Sequence, residues 1–394
     1  MPRIDDILIL DGARTAVGTF LGGLCRVSPT SLGVTASKGA LQRAGIEPDR
    51  IDATIFGNVL QSAKDSVYLA RHVGLQAGVP EDRPALVVNR ACASGLESVI
   101  QGAKAMGVGE AEFVLAGGSE NMSMTPYAMR GVRQGWKMIK SDVDDMLFSA
   151  LFDPMAGCSI GETVEHLAAE QGVTREQADA MAVEGQRRAA QAVATGIYAE
   201  EIVPVTAGSR RKPVQIELDE APRPGSTMQG LAQLPGLYEG GVNTAGNSCG
   251  LNDAAAAVVM ATSDAAKAAG ATPLGRVVSW ASVGVAPKSM GLGPIEASRK
   301  ALRDAGLSVN DLDVIELNDS FAVQSVAVQR ALELDPAKVN PNGGAVALGH
   351  PMGATGTRLV LSALYQLRRT QGRYALATVC VGGGQGTAIV LERA

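Results

Sequence analysis

Val-Val-Asn-Arg-Ala-Cys-Ala-Ser-Gly, residues 87–95, sets one cysteine where an apolar run ends and a helical pattern begins. The β-formers Leu86–Val88 lead into it, and apolar residues from Leu96 to Ala103 recur at about 3.6-residue spacing. We therefore predict a strand-to-helix junction at Cys92. Free N–H groups and the positive end of the helix dipole should lower the pKa of a thiol there and favour the thiolate. This makes Cys92 a candidate nucleophile, although a free cysteine is more often a small buried hydrophobe.

Two more segments of the C-terminal third place a reactive side chain at a glycine-rich turn, and a third ends a strand-like run at an asparagine. Residues 342–357 read Asn-Gly-Gly-Ala-Val-Ala-Leu-Gly-His-Pro-Met-Gly-Ala-Thr-Gly-Thr and contain His350, one of only three histidines. The apolar run 374–379 leads into Cys380-Val-Gly-Gly-Gly-Gln-Gly, and Asn318 follows the strand-like run 313–317. Backbone N–H groups are free to bind charge in such turns, so these residues are candidates for a site.

An internal repeat organises the chain. Residues 36–52 align without gaps to residues 297–313, an offset of 261 (297 − 36), and both copies read as an amphipathic helix, a glycine cap and a strand. With nearly the same offset, 258 (350 − 92), Cys92 falls opposite His350. We expect two copies of one α/β unit, each with a mostly parallel sheet covered by helices. The stretch from about 121 to 247 has no counterpart in the second copy and is read as an insertion.

The same residues carry a family resemblance. Together with Ala13-Arg-Thr-Ala-Val-Gly, Gly117-Gly-Ser-Glu-Asn-Met-Ser and Gly246-Asn-Ser-Cys-Gly-Leu-Asn-Asp, they make the chain resemble a thiolase over essentially its whole length. The resemblance implies an α/β fold in which two repeated halves form a five-layer αβαβα sandwich, with an inserted loop domain that binds coenzyme A and the active site between the halves. The expected bounds are 1–120 plus 248–272 for the N-terminal half, 121–247 for the insertion and 273–394 for the C-terminal half.

The chemistry of a thiolase gives each candidate a role. The enzyme condenses acyl-CoA with acetyl-CoA, or cleaves β-ketoacyl-CoA with coenzyme A, through an acyl-enzyme; a cysteine suits this because its own thioester makes acyl transfer nearly isoenergetic. His350 is the expected base for Cys92, since a histidine pKa allows proton exchange near neutrality. Cys380 is expected to move the proton of the α-carbon. The resemblance implies one oxyanion hole from the N–H groups of Cys92 and Gly382, and another from His350 and a water held by Asn318.

Substrate-binding residues follow from the resemblance alone. It implies that Arg223 and Tyr238 border the adenine end of coenzyme A, that Ala245 and Cys249 face the pantetheine, and that the acyl group is lined by Leu151, Ile160, Met290 and Phe321. Two motifs depart from the usual pattern: Asn-Glu-Ala-Phe reads Asn318-Asp-Ser-Phe, and His-Met-Gly reads Ser159-Ile-Gly. Because of these changes, the resemblance specifies the reaction class more closely than the identity of the substrate.

The bulk of Met290 and Phe321 predicts a short or medium acyl pocket. The expected activity is therefore acetyl-CoA C-acetyltransferase, with a β-ketoacyl-CoA thiolase for a longer, branched or polar acyl group as the alternative. The resemblance also implies a homo-oligomer, a tetramer built as a dimer of dimers. Residues 122–138, with Tyr127 and Trp136 among glycines and arginines, have the make-up of such an interface.

Composition and charge argue against several other classes of protein. A formal net charge of −5 argues against nucleic-acid binding, and the chain has neither an apolar run of about 18 residues nor a signal peptide, so we expect a cytoplasmic protein that does not enter membranes. Five scattered cysteines without a Cys-x-x-Cys pair suit a reducing compartment and no metal site. The expectation is that coenzyme A thioesters serve as substrates and that there is no further cofactor.

Parts of the sequence are compatible with two other enzyme classes. Gly246-Asn-Ser-Cys-Gly matches the Gly-x-Ser-x-Gly pattern of serine hydrolases, with Ser248 as nucleophile and His350 downstream, but a glycine-broken segment precedes it instead of an apolar strand. A carrier-protein-dependent ketosynthase would be expected to place two histidines beside its cysteine, whereas here Asn318 stands in the second position. A thiolase explains more of the motifs than either class.

Overall fold

The computed structural model describes residues 7–135, 143–209 and 211–394, so Trp136 lies outside the described residues. The α-helices of the described part are α1 (Pro29–Ala44), α2 (Leu69–Ala77), α3 (Ser94–Gly107), α4 (Met146–Ala150), α5 (Ile160–Gln171), α6 (Arg175–Ala194), α7 (Met228–Ala232), α8 (Ser263–Ala268), α9 (Gly293–Ala305), α10 (Ala322–Leu332), α11 (Ala345–Leu348) and α12 (Met352–Thr370). The strands are β1 (Ile7–Arg14), β2 (Gly18–Thr19), β3 (Ala53–Gly57), β4 (Ala85–Val88), β5 (Phe113–Asn121), β6 (Tyr127–Met129), β7 (Val143–Asp145), β8 (Phe152–Asp153), β9 (Cys158–Ser159), β10 (Val205–Ser209), β11 (Lys212–Ile216), β12 (Asn252–Thr262), β13 (Gly275–Gly284), β14 (Leu312–Asn318), β15 (Tyr374–Val381) and β16 (Gln385–Arg393). None of the helices within these ranges has the length and apolar character needed to cross a bilayer.

The internal repeat is visible in the backbone. Helix α1 ends at Gly45 with φ 63°, and its counterpart α9 ends at Gly306 with φ 70°. In each copy the N–H of that glycine bonds back to carbonyls of the last turn, and a strand, β3 or β14, follows. A residue in this left-handed conformation is most easily a glycine, which explains why both copies carry one.

The strands form one continuous path through both halves. Strands β4, β3, β5, β12 and β1 follow one another in the N-terminal half, and β13, β16, β15 and β14 in the C-terminal half. The halves join through a short pairing of β1 with β13, at Leu8 with Arg276 and Ile9 with Gly275. Strand β12 follows the insertion in sequence but pairs with β1 and β5, so the chain returns to the N-terminal half after residue 247.

The expectation of mostly parallel sheets is wrong. In the ten-stranded sheet only β3–β4, β3–β5 and β14–β15 pair in parallel among the described residues, and the other strand pairs are antiparallel. The reason is the connections: β16 follows β15 after a three-residue turn, which permits an antiparallel hairpin, whereas a parallel neighbour needs a crossover. The repeat in sequence reveals the helix–strand unit but not the direction in which the closing strands enter.

The five predicted layers are present. Helices α1 and α2 pack on the outer face of the N-terminal strands, and α9 packs on the outer face of the C-terminal strands. Between the N-terminal and C-terminal parts of the sheet lie α3 and α12, whose buried side chains share one core with both parts. Strand β1 shows the alternation that this requires: Ile7 and Ile9 enter the central core, while Leu10 enters the outer one.

The two central helices touch through their backbones. A Cβ added to Gly95 of α3 would lie 2.6 Å from the backbone nitrogen of Thr357 in α12, and one added to Gly356 would lie 2.1 Å from the nitrogen of Leu96. The hydroxyl of Thr357 donates to the Gly95 carbonyl at 2.9 Å. Because the contact is at the N-terminal ends of both helices, it brings together the residues that precede them.

The inserted stretch covers one end of this frame. Helices α5 and α6 share a buried cluster with α10 that includes Met290 and Cys380. On the other side, the guanidinium of Arg14 in β1 forms buried ion pairs with Glu201 at 2.9 Å and with Asp219 at 2.7 Å. The insertion is therefore held by both halves near the point where they meet.

Candidate active site

A cavity of about 460 Å³ lies where the two halves and the insertion meet. This is within the size range of small-molecule sites. Ten of the thirteen residues that the sequence singled out for the site line it: Cys92, Leu151, Ile160, Tyr238, Cys249, Met290, Phe321, His350, Cys380 and Gly382. All the predicted acyl-binding residues, and all the predicted catalytic residues except Asn318, thus line one cavity although they come from distant parts of the chain.

Cys92 lies in the turn between β4 and α3, as the sequence predicts. The preceding Ala91 has φ 41°, a left-handed conformation that is costly for a residue with a side chain. Ser94 stabilises the turn, because its Oγ accepts from the N–H of Arg90 at 2.9 Å and donates to the Ala91 carbonyl at 2.7 Å. The turn therefore holds Cys92 at the cavity wall.

The expected low pKa of the Cys92 thiol is wrong. Burial raises its pKa to about 11, even though the N–H groups of Gly382 and of Cys92 itself bond to the sulfur and act in the opposite direction. The free energy that the thiolate loses when it leaves water exceeds the free energy that two backbone hydrogen bonds recover. The resting nucleophile is a neutral thiol.

The ring of His350 is oriented by Thr355, one turn into α12. Its Nδ1 lies 2.7 Å from Thr355 Oγ1, and that hydroxyl donates its single proton to the Pro351 carbonyl at 3.0 Å. Thr355 Oγ1 can therefore only accept, which places the proton of the neutral ring on Nδ1. The other nitrogen, Nε2, is buried at the cavity without a protein partner among the described residues, so its lone pair is free.

The expected pKa of His350 is also wrong. Burial, helped by the positive charge of Arg358, lowers the pKa to about 3. A buried cation without a counter-ion is disfavoured, and within the described ranges no carboxylate acts on the pKa of His350 to offset burial. His350 is thus a neutral imidazole at physiological pH and can accept a proton without losing one first.

The second thiol lies near the end of β15 in the C-terminal half. Cys380 is the next-to-last residue of β15, and Gly383 and Gly384 make the following turn with φ 83° and 81°. This turn aims the N–H of Gly382 at the sulfur of Cys92. Burial and the nearby Cys92 raise the pKa of Cys380 to about 12, whereas the hydroxyl of Ser320 acts to lower it.

Three predicted residues do not line the cavity. Asn318, the last residue of β14, is fully buried behind Ser320, to whose Oγ its Nδ2 donates at 2.7 Å. Arg223 is exposed, and its guanidinium donates to the carbonyl of Ala245 at 3.3 Å. Arg223 and Ala245 therefore contact each other outside the cavity.

Several cavity residues were not picked out from the sequence. Ser320 and Met352 line the wall, and Thr355 fixes the histidine from behind. The sequence does mark Ser320, because its motif usually has alanine at this position. Met352 and Thr355 belong to the same motif as His350, two and five residues after it. Phe148 and Leu237 come from the insertion, and no local pattern marks them as part of the same space.

The serine hydrolase alternative is not supported by the local fold. Ser248 lines the cavity, but its segment leads from a loop into strand β12 and not from a strand into a helix, which the nucleophile elbow requires. Its Oγ is buried with no hydrogen-bond partner in the described part of the chain. No base therefore activates this hydroxyl.

Comparisons with known proteins agree with the site. The family model "Thiolase, N-terminal domain" matches residues 7–264 and "Thiolase, C-terminal domain" matches residues 271–393. The chain is 44% identical to "Beta-ketothiolase BktB" of Cupriavidus necator over 98% of this chain and 99% of the relative. It is 42% identical to "Acetyl-CoA acetyltransferase" of Pseudomonas aeruginosa over 99% of this chain and 100% of the relative.

Solved structures give the same result. The human mitochondrial 3-ketoacyl-CoA thiolase in complex with CoA superposes with a TM-score of 0.96 at 40% identity, covering 100% of this chain and 99% of that one. The Bacillus anthracis acetyl-CoA acetyltransferase gives a TM-score of 0.97 at 37% identity, with 100% of both chains covered. On this basis the protein is an acyltransferase, and the chain belongs to the thiolase family.

Proposed function

We propose that Cys92, His350 and Cys380 carry the thiolase reaction, a reversible Claisen condensation that proceeds by a ping-pong mechanism through an acyl group on Cys92. One observation carries the assignment: two thiols and a neutral imidazole with a free Nε2 line a single cavity between the halves. Neutral groups suit this use, because a proton can pass between them without a buried charge in the resting state.

In the first half-reaction the sulfur of Cys92 attacks the thioester carbonyl while its proton passes to Nε2 of His350. The leaving coenzyme A thiolate then takes that proton, so the ring returns to its neutral form. The N–H groups of Cys92 and Gly382 are placed to stabilise the oxyanion, since both already bond to the sulfur at the reacting centre. Because the proton moves as the sulfur attacks, no free thiolate has to form first at a site that raises the pKa of the thiol.

In the second half-reaction the thiolate form of Cys380 takes a proton from the α-carbon of acetyl-CoA, and the electron pair of the broken C–H bond attacks the acyl carbon on Cys92. A water held by Asn318 is proposed to stabilise the enolate oxygen. His350 is proposed to join it when the proton of the neutral ring lies on Nε2, the tautomer opposite to the one that Thr355 favours. The product β-ketoacyl-CoA leaves as Cys92 departs as a thiolate. Cys92 then takes the proton from Cys380, which restores the Cys380 thiolate. In thiolysis the same steps run backwards.

The walls of the cavity support a short or medium acyl group. Leu151, Ile160, Met290 and Phe321 give an apolar lining, and Met290 is fully buried against helix α5. We therefore propose acetyl-CoA C-acetyltransferase activity. The alternative, a β-ketoacyl-CoA thiolase for a longer, branched or polar acyl group, stays open because the relatives carry both kinds of name.

Coenzyme A is proposed to reach the thiols past the insertion. Arg223 is an exposed cation whose backbone is fixed by Gln186 at 2.7 Å, which suits a phosphate or adenine contact. Tyr238 lies deeper, on the cavity wall, with its hydroxyl 2.7 Å from Ser159 Oγ. The CoA complex of the human thiolase supports the same ligand class here.

A homotetramer is proposed as the assembly. Strand β4 is an edge strand of the sheet with Leu86 49% exposed, and Tyr127, Met129 and Val132 of the insertion are also exposed. Unpaired edges and apolar patches of this kind are usually covered by a partner. A monomeric mass by light scattering at micromolar concentration would contradict the proposal.

The assignment is tested by following the two half-reactions separately. After incubation with acetyl-CoA, mass spectrometry should find an acetyl group on the peptide that contains Cys92, and Cys92→Ala should abolish both this label and turnover. Cys380→Ala should still be acetylated, because that step moves no carbon-bound proton, while condensation and thiolysis fall by about 10²- to 10⁴-fold. Cys25→Ala, a cysteine outside the cavity lining, is the control and should behave as the native protein.

Acetylation on Ser248, or on Cys380 with Cys92 unmodified, would overturn the assignment. Native cleavage of C12 or longer substrates as readily as acetoacetyl-CoA would overturn the proposed acyl preference but leave the roles of the two cysteines intact. The two outcomes are read from different assays and do not depend on each other.

A further inference from the structure

One hydroxyl of the cavity has no role in the mechanism above. Ser320 Oγ lies 2.7 Å from Asn318 Nδ2 and 3.9 Å from the sulfur of Cys380, within the range of a hydrogen bond to sulfur. The side chain is 5% exposed and lines the cavity. It therefore stands between an amide and the thiol that we propose moves the carbon-bound proton.

The direction of these bonds follows from the donor inventory. An amide NH₂ can only donate, so Asn318 uses Nδ2 to donate to Ser320 Oγ, which accepts. The single proton of the hydroxyl is then free to point to the sulfur. Cys380 has no other side-chain hydrogen-bond donor among the described residues, so Ser320 is the one side chain there that can stabilise negative charge on it.

The backbone keeps this serine in place. The carbonyl of Ser320 accepts the N–H of Cys249 at 2.8 Å, and the next residue, Phe321, forms a bridge with Ser248. On the other side, the carboxylate of Asp319 accepts the N–H of Ala345. A fixed main chain on both sides holds the hydroxyl near the sulfur.

We propose that Ser320 is a positioning residue that donates a hydrogen bond to the Cys380 thiolate and relays to it the polarity of the Asn318 amide. The proposal rests on the proposed role of Cys380. In the step concerned, the bond between the α-carbon and its proton breaks, the proton goes to the sulfur and the electron pair stays on the enolate. The hydroxyl proton remains on Ser320 throughout. When the Cys380 thiolate takes the carbon-bound proton, the acceptor of the Ser320 hydrogen bond becomes a neutral thiol.

Ser320→Ala tests the idea with little change of volume. A hydrogen bond to a charged group is worth a rate factor of about ten to a hundred, so condensation and thiolysis should slow by that factor. The rise of the rate with pH, which reports formation of the Cys380 thiolate, should move upward by about one pH unit or more. Acetylation of Cys92 by acetyl-CoA should keep its native rate. Ser320→Thr, which retains the hydroxyl, should recover most of the activity.

Two controls separate this role from others. Ser298→Ala removes another buried serine hydroxyl, on the outer helix α9, and should leave both half-reactions unchanged. In the double variant Ser320→Ala with Cys380→Ala, loss of the hydroxyl should cost nothing beyond the loss of the thiol, because the bond has no acceptor.

Native condensation and an unshifted pH profile in Ser320→Ala would overturn the proposal, as would an equal loss in both half-reactions, which marks a structural role. Full condensation in Cys380→Ala alone would instead overturn the proposed function, and the pH profile of Ser320→Ala would then have no thiolate to report.

Discussion

Replacement of Gly95 by alanine tests how the fold assembles the site. The added Cβ would lie 2.6 Å from the nitrogen of Thr357, 2.9 Å from the nitrogen of Gly356 and 2.9 Å from the oxygen of Gly353. Ordinary contacts begin at 3.4 Å, so α3 and α12 must separate by about 0.8 Å. All three neighbours are backbone atoms and cannot rotate away.

The expected cost has two parts. Overpacking of this kind lowers the free energy of unfolding by about 1–3 kcal/mol. Because Cys92 precedes α3 and His350 precedes α12, the same shift moves the nucleophile away from its base, and misplacement by about 1 Å costs about 10²-fold in rate. Urea denaturation measures the first effect, and kcat/KM for thiolysis of acetoacetyl-CoA measures the second.

Gly107→Ala is the matched control, since it lies at the other end of α3 and an added Cβ there meets nothing within 4 Å. It should keep native activity and lose no stability. If Gly95→Ala retains kcat/KM within a few-fold, the contact between the two helices does not set the distance between thiol and imidazole. If Gly107→Ala loses as much as Gly95→Ala, the effect is not steric.

Three further predictions address single side chains. Phe321→Ala should raise kcat/KM for longer 3-ketoacyl-CoA substrates relative to acetoacetyl-CoA by about tenfold or more, the scale of one or two methylenes in an apolar pocket; an unchanged ratio means that Phe321 does not close it. Thr355→Val removes the acceptor for Nδ1 of His350 and should slow acetylation of Cys92 by about 10- to 100-fold, whereas a native rate would show that the tautomer is set elsewhere. The pKa of His350 is about 3 in the folded protein and 6.5 in the unfolded chain. Below pH 6.5 the unfolded chain therefore binds a proton that the folded protein does not, and the free energy of unfolding falls as the pH is lowered from 6.5 to about 3. From pH 7 to 5 this loss is about 2 kcal/mol and should be absent from His350→Asn in urea denaturation; an equal loss in both proteins would refute the buried neutral imidazole.

Local patterns were sufficient for much of the site. The apolar run before Cys92 and the helical spacing after it predicted the turn between β4 and α3, which the structure confirms. The repeat set Cys92 opposite His350, and the two residues indeed precede the paired helices α3 and α12. These features depend on residue type and spacing along the chain, so a sequence contains them directly.

The division of the chain shows the limit of such patterns. Repeated helix–strand units predicted two halves, and the family resemblance added the five layers and the return of residues 248–272 to the N-terminal half, but neither predicted that most strand pairs would be antiparallel. Strand direction depends on how the chain crosses the sheet after a long insertion, and no residue in the strand itself records that path.

By itself the sequence determined which residues can react and which halves present them; the tertiary structure alone decided their protonation and their neighbours. Cys92 was expected to be acidified by a helix end and His350 to titrate near neutrality, yet burial raises the pKa of the thiol and lowers that of the imidazole. Ser320 reaches the sulfur of Cys380 across 60 positions of sequence, and this sets Asn318 behind it. Desolvation and side-chain contact are properties of the space around a group, and that space exists only when distant segments pack together.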